Sequence, residues 1–134
     1  VYAVFGPHDV RHFGDGRFST SPSEFVAAVI DKKDDNVYEQ PPALASLHFQ
    51  SGLGNEWDFR RTLSLANGQF PRIFDFFAAE IRTPEGRSLR TEGGYGEGLS
   101  LIRLPVPSQA VGDFSIEIAD IAGNVARFSG SIAK

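Results

Sequence analysis

The sequence predicts an all-β domain, an antiparallel β-sandwich of eight or nine short strands. Three observations carry that expectation. Apolar and polar residues alternate over many short segments, which is the period of a half-buried strand. Clusters rich in Gly, Pro, Asn and Asp interrupt the chain at short intervals, and such clusters form turns. Twelve Phe stand against one Trp and no Met, a supply of bulky filler suited to a small β core.

The clearest strands close the chain, in GDFSIEIADIAGNVARFSG at 112–130. Phe114, Ile116 and Ile118 alternate with Ser115, Glu117 and Ala119; Ala126, Phe128 and Ile132 alternate with Val125, Arg127, Ser129 and Ser131. Between them Asp120 can accept backbone N–H groups, and Gly123 is free to take a left-handed conformation. In ALASLHF, Ala45, Leu47 and Phe49 fall on one side and Ser46 and His48 on the other. In EWDFRRTLSL, Trp57, Phe59, Leu63 and Leu65 share a face that Arg61 interrupts. EFVAAVI and LSLIRLPV are more continuously apolar, as in strands deep inside a sandwich. RIFDFFAAEI fits helix and strand periods alike; its Phe and Ile residues favour a strand over 73–81, against the helical preference of Ala-Ala-Glu. TPEG at 83–86 suits a type I turn with Pro second and Gly last. The order of the strands within a sheet is not readable from these patterns.

A chain of 134 residues fits one domain spanning 1–134 and is long enough to bury a core. Its net charge of −4 and its scattered Lys and Arg disfavour a nucleic-acid partner, which asks for a basic face. The apolar stretches at 24–30, 73–81 and 99–106 are each too short to cross a bilayer, so no transmembrane segment is expected. There is no Cys, hence no disulfide and no thiolate ligand for zinc. No initiator Met and no signal-peptide pattern are present, so the expectation is a domain processed or excised from a larger protein.

Gly112, Phe114, Ile116, Ile118, Asp120, Ala122, Gly123 and Asn124 follow a G-x-[FY]-x-[IV]-x-[IV]-x-D-x-A-G-N pattern. The pattern resembles the closing hairpin of bacterial immunoglobulin-like and fibronectin-III-like modules. Upstream, EIRTPEGRSLRTEGGYGEGLSLIRLPVPSQAVGDF looks like the tail of accessory β domains attached to secreted proteases. Both resemblances imply an accessory β-sandwich of immunoglobulin-like or jelly-roll topology, outside the cytosol, and neither brings catalytic residues with it. The Cys–Trp–Cys pattern of antibody-type domains is absent.

Several clusters could carry chemistry. PHDVRHFGDG gathers His8, Asp9, His12 and Asp15. Two His four apart share an ion on a helix, but Pro7 and the glycines deny a helical run here. In an extended segment they stand ~13 Å apart, too far for one ion. DKKDDN places Asp31, Asp34 and Asp35 in a loop where calcium could find oxygen ligands, although Lys32 and Lys33 offset the charge and the spacing is not that of an EF-hand. SGLGNEW and GGYGEG set Trp57 and Tyr95 beside flexible glycines, with Asn55 close by. Exposed there, the rings could stack on sugars while Asn55 bonds their hydroxyls; otherwise Trp57 simply begins a core face. No Gly-x-Ser-x-Gly nucleophile motif occurs.

The leading expectation is therefore a non-catalytic structural or binding module of an exported bacterial protein, extracellular or periplasmic. It would meet neighbouring domains or a glycan or protein surface and need no cofactor, with calcium at Asp31, Asp34 and Asp35 the possible exception. The second is a carbohydrate-binding module using Trp57, Tyr95 and Asn55. The third is a small β enzyme or metalloprotein built on His8 and His12. The hairpin reading makes a direct prediction: Gly123→Val should destabilise the domain by about 1 kcal/mol or more. An unchanged denaturant midpoint would show position 123 to be ordinary backbone.

Overall fold

The computed structural model describes residues 1–30, 44–58, 77–91, 99–119 and 124–134. Every regular element among them is a β-strand: β1 Tyr2–Gly6, β2 Asp9–His12, β3 Arg17–Phe18, β4 Glu24–Ile30, β5 Leu44–Phe49 and β6 Gly54–Asp58. They are followed by β7 Glu80–Arg82, β8 Ser88–Arg90, β9 Leu99–Pro105, β10 Gly112–Ala119 and β11 Val125–Ile132. The all-β expectation is met among these residues. The described residues alone hold eleven strands, of which β3, β7 and β8, two or three residues long, are too short to show a period in the sequence.

The strands form three sheets, ordered β2-β1-β4-β9, β3-β11-β10-β5-β6 and β7-β8. Pairing is antiparallel except where β3 runs parallel to the end of β11. The closing hairpin pairs as its alternation predicts, Phe114 opposite Gly130 through Ala119 opposite Val125. Residues 120–123, with Gly123, lie outside the described residues. β5 joins the other side of β10, Leu47 opposite Ile116 and Ala45 opposite Ile118. Those inward side chains are buried, whereas His48 is exposed.

Side chains from the four- and five-stranded sheets meet in one apolar cluster. Ala3, Phe25, Ala27, Ile102 and Leu104 come from the first; Ala45, Leu47, Phe49, Phe114, Ile116, Ile118 and Ile132 come from the second. Phenylalanines knit the two sets together. The Phe25 and Phe114 ring centroids are 5.0 Å apart across the sheets, and Phe49 lies 5.4 Å from Phe114. Phe13, in the loop before β3, sits edge-on to Phe18, Phe25, Phe114 and Phe128 at 5.8–6.1 Å. Edge-to-face pairs at these spacings add to the gain from burial alone. The high Phe count is explained by this cluster.

Close backbone approach brings the Phe13–Phe18 loop down onto β11. Gly16 has φ +76°, and a Cβ there would meet the Ser129 carbonyl; a Cβ on Gly130 would meet Gly16 and the Phe114 ring. Ser131 N–H donates to the Gly16 carbonyl at 2.8 Å. Only glycine fits at such a contact.

The four-stranded sheet is covered on its other face as well. Val26, Leu101 and Ile81 form a second buried cluster with Tyr2, Val4, Ala28, Ala78 and Leu89 around it, so the β7–β8 hairpin packs on that face. Thr91 anchors the hairpin: its hydroxyl donates to the Ala78 carbonyl at 2.6 Å and accepts from Leu101 N–H at 3.1 Å. Burial on both faces explains why EFVAAVI and LSLIRLP, now β4 and β9, lack alternation. The TPEG turn closes the hairpin as expected, with Gly86 N–H donating to the Thr83 carbonyl at 2.9 Å and Gly86 at φ +88°. Of the ambiguous 73–81 segment, Phe77 bridges Ile102 and β7 begins at Glu80; 73–76 lie outside the described residues.

Phe114 touches both sheets and the loop, so Phe114→Ala should cost about 3–5 kcal/mol in unfolding free energy. A loss below about 1 kcal/mol would mean that the aromatic cluster does not join the sheets.

Candidate functional site

The five-stranded sheet turns its other face outward. Register assigns that face row by row, because directly opposed residues share a side. One row runs Arg17 on β3, Ser131 on β11 and Asp113 on β10, ending near Gln50, whose N–H donates to the Asp113 carbonyl at 3.0 Å. The next runs Ser129, Ser115, His48 and Gly54. A third runs Arg127, Glu117, Ser46 and Glu56. Arg17, His48, Asp113, Ser115, Ser129 and Ser131 of these two rows line an open depression of about 660 Å³, together with Asp15, Phe49, Gln50, Phe114 and Gly130.

In the third row Arg127 Nε donates to Glu117 Oε1 at 2.9 Å. The His48 ring reaches Glu56 at 3.6 Å. Around the depression the situation differs. Asp15 is bound only through its own turn, accepting from Arg17 N–H at 3.0 Å. Among the described residues, the Arg17 guanidinium, the Asp113 carboxylate and the Ser115, Ser129 and Ser131 hydroxyls have no hydrogen-bond or ion-pair partner within the chain. This cluster was not legible in the sequence: three strands supply it, one or two residues each, and no spacing along the chain marks it.

Ser115, His48 and Glu56 stand on adjacent strands in the order nucleophile, base, acid. Nucleophilic catalysis asks the base to hydrogen-bond the nucleophile, and no hydrogen bond joins Ser115 to His48 among the described residues. Both His48 and Glu56 are more than half exposed, so solvent screens the pair.

The residues singled out in the sequence are dispersed. Asn55 and Trp57 lie on β6, opposite Leu47 and Ala45. The Asn55 amide donates to the Pro105 carbonyl at 2.5 Å, tying β6 to the end of β9. The Trp57 side chain, Tyr95, and Asp31, Asp34 and Asp35 lie outside the described residues. His8 occupies the β1–β2 turn and His12 the far end of β2, the extended arrangement that the glycines and Pro7 imply. His12 is hydrogen-bonded to Glu85 in the β7–β8 turn and stacks near Tyr2, ring centroids 5.4 Å apart. Asp9 forks onto Arg11 through two 3.0 Å bonds, and Arg11 lies 4.2 Å above the Phe5 ring. Among the described residues no group of three His, Asp or Glu side chains is placed to hold a metal. No described helix is long and apolar enough to cross a membrane.

Comparison with protein-family models, curated proteins and solved structures finds no match to this chain.

The His12 hydrogen bond, foremost, holds the Glu85 carboxyl below the usual glutamate range. A depressed carboxyl stabilises the fold above its unfolded pKa, and that contribution is lost as pH falls through the folded value. Glu85→Gln should therefore melt slightly below wild type at about pH 6, and the two should converge below about pH 3. A gap that is the same at both pH values would show that the contact is not ionic.

Proposed function

We propose that this chain is a non-catalytic binding module of β-sandwich type, immunoglobulin-like or jelly-roll, in an exported multidomain protein. One observation carries the reading. Apolar clusters cover both faces of β4 and β9 in the four-stranded sheet, while the five-stranded sheet offers a polar face with hydrogen-bonding groups uncommitted among the described residues. A fold of this kind spends its apolar residues on a rigid base and presents a surface on it. The shared apolar cluster supports the sandwich; the resemblance of the closing hairpin to immunoglobulin-like and fibronectin-III-like modules supports the exported, multidomain setting. The same outward face favours carbohydrate binding as the second reading, with neighbouring domains or a protein surface as other contacts.

A module of this kind needs no ion to fold. His8 and His12 lie apart, and calcium at Asp31, Asp34 and Asp35 would be a local loop event. Thermal unfolding with EDTA and with calcium chloride should give the same midpoint to within a few degrees, as should the double substitution His8→Ala, His12→Ala. A large fall in EDTA would overturn this reading in favour of a metalloprotein.

A further inference from the structure

We infer that the outward face of the five-stranded sheet binds a neutral oligosaccharide, in the depression bounded by Arg17, Asp113, His48, Ser115, Ser129 and Ser131. This rests on the binding-module reading and names its site and ligand class. Elsewhere on the described surface many charges are already used: Arg11 with Asp9, Arg103 with Glu24, Arg90 with Glu80, Arg127 with Glu117. Here Arg17, Asp113 and three serine hydroxyls remain uncommitted while standing within two adjacent rows of one sheet.

The chemistry of the lining selects the ligand. Arg17 only donates, Asp15 and Asp113 only accept, and the serines and Gln50 do both. A ligand that meets all of them must offer donors and acceptors together, as adjacent sugar hydroxyls do. Two carboxylates against one guanidinium repel an anion. A cation would want a third carboxylate, which the described residues do not provide. A protein partner would be anchored by exposed aromatic or other large apolar side chains, and the two phenylalanines at the depression, Phe49 and Phe114, are buried in the core beneath it. The volume of about 660 Å³ lies within the range of small-molecule sites. The depression is open rather than enclosed, so a chain can extend beyond it. Gly54, at the end of the second row, adds no side chain to block it.

The site is reached from this sequence only through register. Ser115 and Ser129 are fourteen positions apart and His48 far upstream, yet strand pairing makes them neighbours. Rigid main-chain pairing on both sides of β10 sets their spacing in advance, so little ordering is lost on binding.

The test is an amide NMR titration of the whole chain with linear hexasaccharides of glucose, xylose, mannose and N-acetylglucosamine. At least one should shift the Arg17, His48, Ser115, Ser129 and Ser131 signals saturably, with a dissociation constant on the order of a millimolar or tighter. Ser115→Arg, which fills the depression, and Arg17→Ala, which removes its donor, should each weaken binding at least about tenfold while keeping the native spectrum. Ser129→Arg repeats the block from β11 should Ser115→Arg unfold. No shift with any of the four would overturn the proposal, as would shifts centred on β6 around Trp57, or shifts reproduced by calcium chloride alone. Chromatography of the recovered saccharide separates this claim from the one beneath it. Intact saccharide without binding leaves a non-catalytic module that lacks this site. Shortened saccharide with binding at these residues keeps the site and overturns the non-catalytic reading.

Discussion

The contact between Phe25 and Phe114 is the interaction on which the other parts depend. Phe25 is on β4 and Phe114 on β10, each an interior strand of its sheet. Phe13 and Phe18 reach this pair from the loop that ends at β3. That loop can descend only because Gly16 and Gly130 let two backbones approach without side chains. The loop also delivers Arg17 to the edge of the five-stranded sheet. A core contact and a surface donor are thus fixed by the same few residues.

A second constraint follows from how the sheets are covered. β4 and β9 put Phe25, Ala27, Ile102 and Leu104 into the main cluster and Val26 and Leu101 into the second. The β7–β8 hairpin, held by Thr91 and by the His12–Glu85 contact, seals that second face. His12 thereby tethers the end of β2 to the β7–β8 turn. With β4 and β9 covered on both faces, the outward face of the five-stranded sheet carries polar rows in their place.

Much of the scaffold was legible in the sequence. Phe114, Ile116 and Ile118 alternate with polar residues because only one face of β10 is buried, and Ala45, Leu47 and Phe49 do the same on β5. The continuous apolar runs of β4 and β9 marked them as interior. The short strands were not legible: β7 and β8 each centre on one apolar residue, Ile81 and Leu89, and a single residue has no period. β1 and β2 were obscured because their turn, at Pro7-His8, follows a register shift between Val4 and Gly6. The proposed site was invisible for a different reason. Serines on strands carry no motif, and Arg17, Ser115 and His48 become a group only once pairing is known. Trp57 and Tyr95 stand out in the sequence only through the glycines beside them; the outward face owes its character to register.

Native-state amide hydrogen exchange tests the central claim most directly, because it reports whether the two larger sheets unfold as one unit. The account predicts that the slowest amides of β4, β9, β10 and β5 exchange with the same free energy, equal to that of global unfolding, while β2, β3 and β6 exchange faster. If β4 and β9 instead opened through a separate, lower-energy transition while β10 and β5 stayed protected, the aromatic cluster would not be joining the sheets, and the rigid base proposed for the outward face would not exist.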